Sequence, residues 1–390
     1  MQPIYLDFNS TAPLLPEAAA AIAQADAAGY ANPASQHAVG RRARSVLEDA
    51  REEIARLLGA NLTDRTADRL IFTSGGTEAN NLALLGLTHA HTTRPGRVIV
   101  STIEHPSISA TADHLAKLGW QIDRLAVNQD GIIRLDHLEE LLTTSSPLGP
   151  PRLVNVMLAN NETGVLQPLA EIVGRCAKQN PPIPVHTDAV QAVGKIPVHF
   201  RELGVAAMTV APHKFGGPRG IGALLVRHDV DLAPVLYGAT QQLGLRPGTE
   251  SVSLVLGFLA ALKAWHAAGD NRSRNMTALR DRFETTLRAA HPQCVINGAA
   301  ATRLPHTSNI AFVGHDRQAL FMALDIAGVC CSTGSACASG SSEPSPTLLA
   351  MNLPKEIVNS SLRFSLGSTT TPVEIDEAVR RISSVVAAQR

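Results

Sequence analysis

The stretches 183-IPVHTDAVQAVGK-195 and 206-AAMTVAPHKFGGPRGIGALLV-226 decide the fold. One apolar run ends in Asp188, with Gln191 three residues later. A second ends in His213-Lys214, ahead of a glycine-rich turn. Each run reads as a buried strand that delivers a polar residue at its C-terminal edge. That edge is where open α/β sheets bind ligands.

Working outward, strands and helices alternate from 69 to 227. RLIFT (69–73) leads into a helix from about 77 to 90, and RVIVS (97–101) into one starting near Ser107. WQIDRLAV (120–127) precedes a helix whose Asp136 and Glu139 have the spacing of a capping box. RLVNVMLA (152–159) leads into PLAEIVGRCAKQ. Near-continuous apolar strands suit a parallel sheet covered on both faces. The expectation is an α/β fold with a mixed, mostly parallel sheet of about seven strands and right-handed crossovers. Residues 41–58 form an amphipathic helix stopped by Gly59.

The pattern changes after about residue 260. MTALRDRFETTLRAA (276–290), QALFMALDIAG (318–328) and a helix opened by Thr371, Pro372 and Glu374 accompany the strands TSNIAFV and SLRFSLG. A large domain of 15–260 is expected, with a smaller α+β domain of 1–14 and 261–390. Asp7, Asn9 and Thr11 should lie across the junction. The loops 237–250 and 332–346 have the composition of functional loops.

The chain has 390 residues, 45% hydrophobic and 17% charged, enough for a sizeable core. Lys plus Arg and Asp plus Glu number 34 each, so no basic surplus points to nucleic acid. MQPIYLDFNSTAP lacks the pattern of a signal peptide, and no apolar window approaches a membrane span. The five cysteines, Cys176, Cys294, Cys330, Cys331 and Cys337, form no C-x-x-C pair and no zinc-like spacing. Reduced thiols in a cytoplasmic, soluble protein are expected.

Several strand ends carry groups with chemistry. The turn 73-TSGGTEANN-81 joins a strand to a helix N-terminus, a seat for a phosphate, with Gly76 and Thr77 as donors. It lacks the G-K-[ST] of a nucleotide loop. His105 in EHPSI could stack on a flat ring, and Asn160 or Asn161 in ANNETG could bind a phenolic oxygen or a carboxylate. An ordinary surface histidine and an Asn-rich turn are the bland readings. A lysine after a strand is also commonly a solvated charge. Asp188 with Lys214 suits a cofactor needing an acid beside a ring nitrogen and an amine for a Schiff base, which is pyridoxal phosphate.

The chain resembles the cysteine desulfurases of the class V aminotransferase family. The matching pieces are NPASQHAVGRRAR (32–44), TSGGTEANNLAL, EHPSI, NNETGVLQP, HTDAVQAVGK, HKFGGPRGIGALLV, LRPGTE, STGSACASGSSEPS and LRFSLGSTTT. The resemblance implies the aspartate-aminotransferase-like fold type I and conversion of L-cysteine to L-alanine. It makes Lys214 the Schiff-base lysine, Asp188 the partner of the pyridine nitrogen and Gln191 that of the phenolic oxygen. His105 would stack on the ring, with Gly76, Thr77 and His213 around the phosphate. Asn161 and Arg363 would hold the substrate, Arg363 forking onto its carboxylate, with Asn32 assisting. Thr249 would reach the phosphate of a neighbouring subunit in a homodimer. Cys337 would be the nucleophile, taking sulfur as a persulfide for an acceptor such as an iron–sulfur scaffold or a tRNA-thiolation protein. Selenocysteine lyase, another class V reaction and a non-catalytic assembly partner are the alternatives.

The chain also departs from the family pattern. Ala211 stands where a serine usually donates to the phosphate, GATQQ (238–242) replaces a GGGQE-like stretch, and Pro346 follows EPS.

Overall fold

The computed structural model describes residues 2–90, 94–334 and 343–389. Its main sheet runs, in spatial order, Arg69–Thr73, Gly222–Val226, Ala207–Val210, Val185–Asp188, Pro151–Asn155, Arg97–Ser101 and Gln121–Leu125. Pairing is parallel from Ala207–Val210 across to Gln121–Leu125. Gly222–Val226 runs antiparallel to both of its neighbours. The seven strands are therefore mixed and mostly parallel, as expected.

The apolar runs are continuous because both faces are covered. Val98 and Val100 pack into one cluster with Leu82, Leu87 and Leu115, while Ile99 between them joins the opposite cluster with Leu47 and Phe258. This is the two-residue period of a strand, with hydrophobic partners on each side. The helices Gly76–His89 and Pro106–Lys117 supply the first face. Ala38–Leu57 supplies part of the second, and Gly59 behind it has φ +73°, the left-handed region open to glycine.

A three-stranded antiparallel sheet, ordered Ser361–Ser365, Thr307–Phe312, Cys294–Ile296, encloses a second core of Phe283, Phe312, Phe364, Leu320 and Ile382. Thr371 and Glu374 form the expected capping box on Pro372–Ala388. The helix read over 276–290 begins at Val252, so it passes through residue 260, with Trp265 in the first core and Phe283 in the second. The capping box at Asp136 is not formed. The N-cap of Leu135–Thr143 is Arg134, two residues earlier, whose guanidinium pairs with the Asp136 carboxylate. An ion pair to a neighbour has won over the backbone.

The N-terminal segment ties the two sheets together. Ile4–Tyr5 pairs with Val329–Cys330, and Asn9 N donates to Ser365 Oγ. Further on, Ala12 N donates to His213 O and Leu15 N to Gly216 O.

Candidate active site

Asp188 and Lys214 meet because their strands are parallel neighbours. Asp188 is the last residue of its strand and lies opposite Thr209. Five residues past Thr209, the chain turns in a short 3-10 helix, Pro212–Lys214, which brings the amine back toward the sheet edge. The turn is gripped from outside. Lys195 Nζ donates to Lys214 O at 2.6 Å and Trp265 Nε1 to Phe215 O at 3.0 Å. Gly194 has φ +73°, and a Cβ there would collide with Phe215. Lys214 Nζ donates to Asn9 O (2.7 Å) and Ser10 O (2.9 Å).

Between these groups lies a cavity of about 240 Å³, walled by Gly76, Thr77, His105, Asp188, Gln191 and Lys214. Asn161, Ala211 and His213 also face it. Nine of the residues singled out in the sequence, counting Ala211, thus converge on one space, although they come from five separate segments of the chain.

One end is built for an anion. Gly76–His89 starts here, and the first N–H groups of a helix lack intrahelical acceptors. A Cβ on Gly222 would lie 2.5 Å from Gly75 C, so glycine in that neighbouring strand lets the turn settle against the sheet. A Cβ on Gly76 would sit 3.2 Å from Val190 Cγ2, closing space at the cavity wall. Ala211 contributes no hydroxyl. His213 Nδ1 pairs with Thr11 Oγ1 at 3.2 Å, and burial, then the charges of Lys214, Arg219 and Lys195, push its imidazole pKa down to about 4. It is a neutral group near neutral pH.

The other end holds a buried acid by fixed donors. Asp188 Oδ2 accepts from Asn80 Nδ2 (2.7 Å) and Oδ1 from Val190 N (2.9 Å). Asn80 also donates to Ser107 Oγ (2.8 Å), which pairs in turn with His105 Nδ1 (2.8 Å). Ser107 N donates to the same nitrogen (3.1 Å), so Nδ1 is the acceptor and the neutral ring carries its proton on Nε2. Behind this row, Glu104 Oε1 accepts from Ser101 Oγ (2.5 Å) and Met157 N (2.8 Å). Burial above all, with the charge of Asp188 added, raises the Glu104 carboxyl to about 8. The neighbouring acid stays neutral near pH 7.

Arg363 lies beside the cavity, almost fully buried. Its Nη1 donates to Asn161 O (3.0 Å) and its Nη2 to Asp7 Oδ1 (2.7 Å), while Nε has no partner among the described residues. Asn32 and Thr249 are exposed and do not line this cavity. Thr249 lines a separate one with Ser74 and Arg246. Cys337 lies outside the described residues.

The residues fit pyridoxal phosphate. An amine, a donor-held carboxylate, a helix N-terminus and a histidine surround a space of suitable size. Two buried amide oxygens, Gln191 Oε1 and Asn80 Oδ1, have no hydrogen-bond partner among the described residues. Gln191 Nε2 donates to Asn9 O (3.1 Å), so in this arrangement the side chain offers its oxygen, rather than a donor, to a ring hydroxyl. Sequence reasoning missed Asn80 and Ser107, and it set Asn9 across the junction without giving it a part in the site. Asn80 left a trace, since it falls one helical turn after Gly76 and therefore on the same face.

The chain matches the aminotransferase class-V family over residues 4–378. It is 37% identical to the cysteine desulfurase IscS of Dictyoglomus turgidum over 98% of this chain and 94% of that protein. The solved NifS-like protein of Rickettsia africae superposes with a TM-score of 0.88 at 32% identity, covering 98% of this chain and 99% of that one. SspA, solved in complex with cysteine, superposes with a TM-score of 0.79 at 27% identity, covering 94% and 99%. A sheet edge that joins Asp188 to Lys214, a buried arginine beside it and this full-length likeness lead to one conclusion: the chain belongs to the class-V aminotransferases and, among them, to the cysteine desulfurases.

Proposed function

We propose that this protein converts L-cysteine to L-alanine with pyridoxal phosphate and leaves the sulfur on Cys337 as a persulfide. The observation that carries the reading is the pairing of Asp188 and Lys214 across one cavity with Arg363 at its side. Lys214 and Asp188 would hold the cofactor at its aldehyde and ring nitrogen, with Gly76, Thr77 and His213 at the phosphate. When bound, it supplies an electron sink that lets the substrate's Cα proton leave.

Arg363 and Asn161 orient the substrate, with the guanidinium meeting its carboxylate as a planar fork. The Lys214 amine, once displaced by substrate, carries a proton to and from Cα. His105 is the group assigned to the proton of a thiol, which Nδ1, the basic nitrogen of the neutral ring, takes up through the Ser107 hydroxyl. Cys337 as thiolate bonds to the substrate sulfur, the C–S electron pair stays with the carbon fragment, and protonation completes alanine. The balance is cysteine plus enzyme thiol giving alanine plus enzyme persulfide, with no external oxidant.

Exposure of Thr249 and Asn32 supports a homodimer in which these residues serve a neighbouring site. The sulfur acceptor we infer is a protein of the iron–sulfur scaffold kind, met in a reducing compartment. The reading is tested by products. Purified enzyme given cysteine and a reductant should release alanine and sulfide in equal amounts, whereas pyruvate in place of alanine would contradict it.

A further inference from the structure

The turn after Pro151–Asn155 has two working faces. Asn160, fully buried, accepts from the backbone N–H of Glu162 (2.9 Å) and of Thr163 (2.9 Å) through its Oδ1, which fixes the turn. Asn161 then faces the cavity, and its carbonyl accepts from Arg363 Nη1 at 3.0 Å. Glu162 points elsewhere and is buried, with 4% of its surface exposed.

Its carboxylate sits between two points far apart in sequence. Glu162 Oε2 accepts from Ser345 Oγ at 2.6 Å. The same oxygen packs on Gly334, where φ is +98° and a Cβ would collide with it. Gly334 and Ser345 flank the segment that carries Cys337, three residues after the first and eight before the second. Each flank is also tied to its surroundings. Gly334 N donates to Ser332 Oγ (3.2 Å), and Ser332 exchanges two backbone hydrogen bonds with Arg363 (3.0 and 2.7 Å). Ser345 Oγ accepts from Leu348 N (3.1 Å), capping the helix that follows.

We propose that Glu162 is a positioning residue for sulfur transfer, one carboxylate oxygen fixing both ends of the Cys337 segment against the turn that presents Asn161. The inference rests on the desulfurase reading above. A buried carboxylate is a costly way to fill space, and an apolar side chain would fill it more cheaply. Burial raises the Glu162 carboxyl, and the Ser345 hydroxyl and then the charge of Arg363 act against that rise.

The test uses holoenzyme and two readouts. One is the change in cofactor absorbance on adding L-cysteine, which reports events before sulfur leaves. The other is the single-turnover rate of persulfide formation on Cys337. Glu162→Ala should slow persulfide formation by about 10-fold or more, a loss in keeping with a misplaced reacting group. The cysteine concentration giving half the absorbance change should stay within about twofold, since binding and orientation at Arg363 are retained.

Glu162→Gln keeps an acceptor for Ser345 and should stay within about threefold of the parent rate. Ser345→Ala should resemble Glu162→Ala, and the double variant should be no slower than the slower single. Persulfide formation at the parent rate in Glu162→Ala, or equal losses in both readouts, would overturn the proposal. If Glu162→Ala does not accumulate as holoenzyme, Ser345→Ala decides, and the parent rate there overturns it as well. A parent enzyme that makes neither alanine nor persulfide would instead sink the desulfurase reading itself.

Discussion

Asn80 donates its amide to Asp188 Oδ2 at 2.7 Å, and both side chains are buried. A hydrogen bond to a charged group contributes about 1.5–3 kcal/mol. Its loss would leave the carboxylate with the Val190 N–H and less support for its charge. Asn80→Ala is expected to weaken cofactor binding by about 10-fold or more, the equivalent of that free energy. Absorbance titration of the apoprotein with pyridoxal phosphate checks this, and an unchanged affinity would remove Asn80 from the site.

Arg363 serves two acceptors at once, Asn161 O and Asp7 Oδ1. Lysine keeps the charge and loses the fork. Arg363→Lys should raise KM for cysteine by about 10-fold or more, with a smaller change in kcat, because uniform binding is what is lost. Steady-state alanine formation measures it.

Glu104 offers a pH signature. Its carboxyl is raised to about 8 in the folded protein, from 4.5. The folded state therefore holds a proton that the unfolded chain releases, so the stabilisation present below pH 4.5 is lost as pH rises toward 8. Glu104→Gln keeps the acceptor used by Ser101 and Met157 and cannot ionise. The thermal midpoint of the variant should gain on the parent between pH 5 and pH 9, by about 1 kcal/mol or more in stability. A constant difference across that range would contradict the burial of a neutral acid.

How much of this was legible in the sequence depends on how far apart the partners lie. Asp188 and Lys214 end apolar runs, and a strand end is a local signal. Gly76, His105 and Asn161 could be placed at the same edge for the same reason. Asn80 reaches Asp188 across 108 residues and Ser345 reaches Glu162 across 183, and no periodicity links such pairs. The helix Val252–Ala290 was visible only in its second part, because its first part, through Trp265, is largely apolar and joins the same core as Ala18. At Asp136 the local signal misled, since Arg134 offered its carboxylate an ion pair.

The thiols separate by environment. Burial pushes the Cys176 thiol up to about 12 and drives Cys331 up as well. Cys330 is also raised, by partial burial first and then by Asp325 and Asp7. A protonated thiol is a poor nucleophile. Iodoacetamide near neutral pH should therefore modify Cys337 ahead of Cys176, Cys330 and Cys331, with activity lost in step. Peptide mapping reads this, and inactivation with Cys337 unmodified would contradict it.

The most direct measurement is a sulfur map after one turnover. Holoenzyme is mixed with cysteine without reductant, alanine is counted, and the persulfide is located by mass spectrometry. The expected result is one alanine and one added sulfur per chain, on Cys337, with none of either from Lys214→Ala and no persulfide from Cys337→Ala. Alanine and persulfide from Lys214→Ala, or parent-rate turnover by Cys337→Ala, would contradict the roles given to both residues.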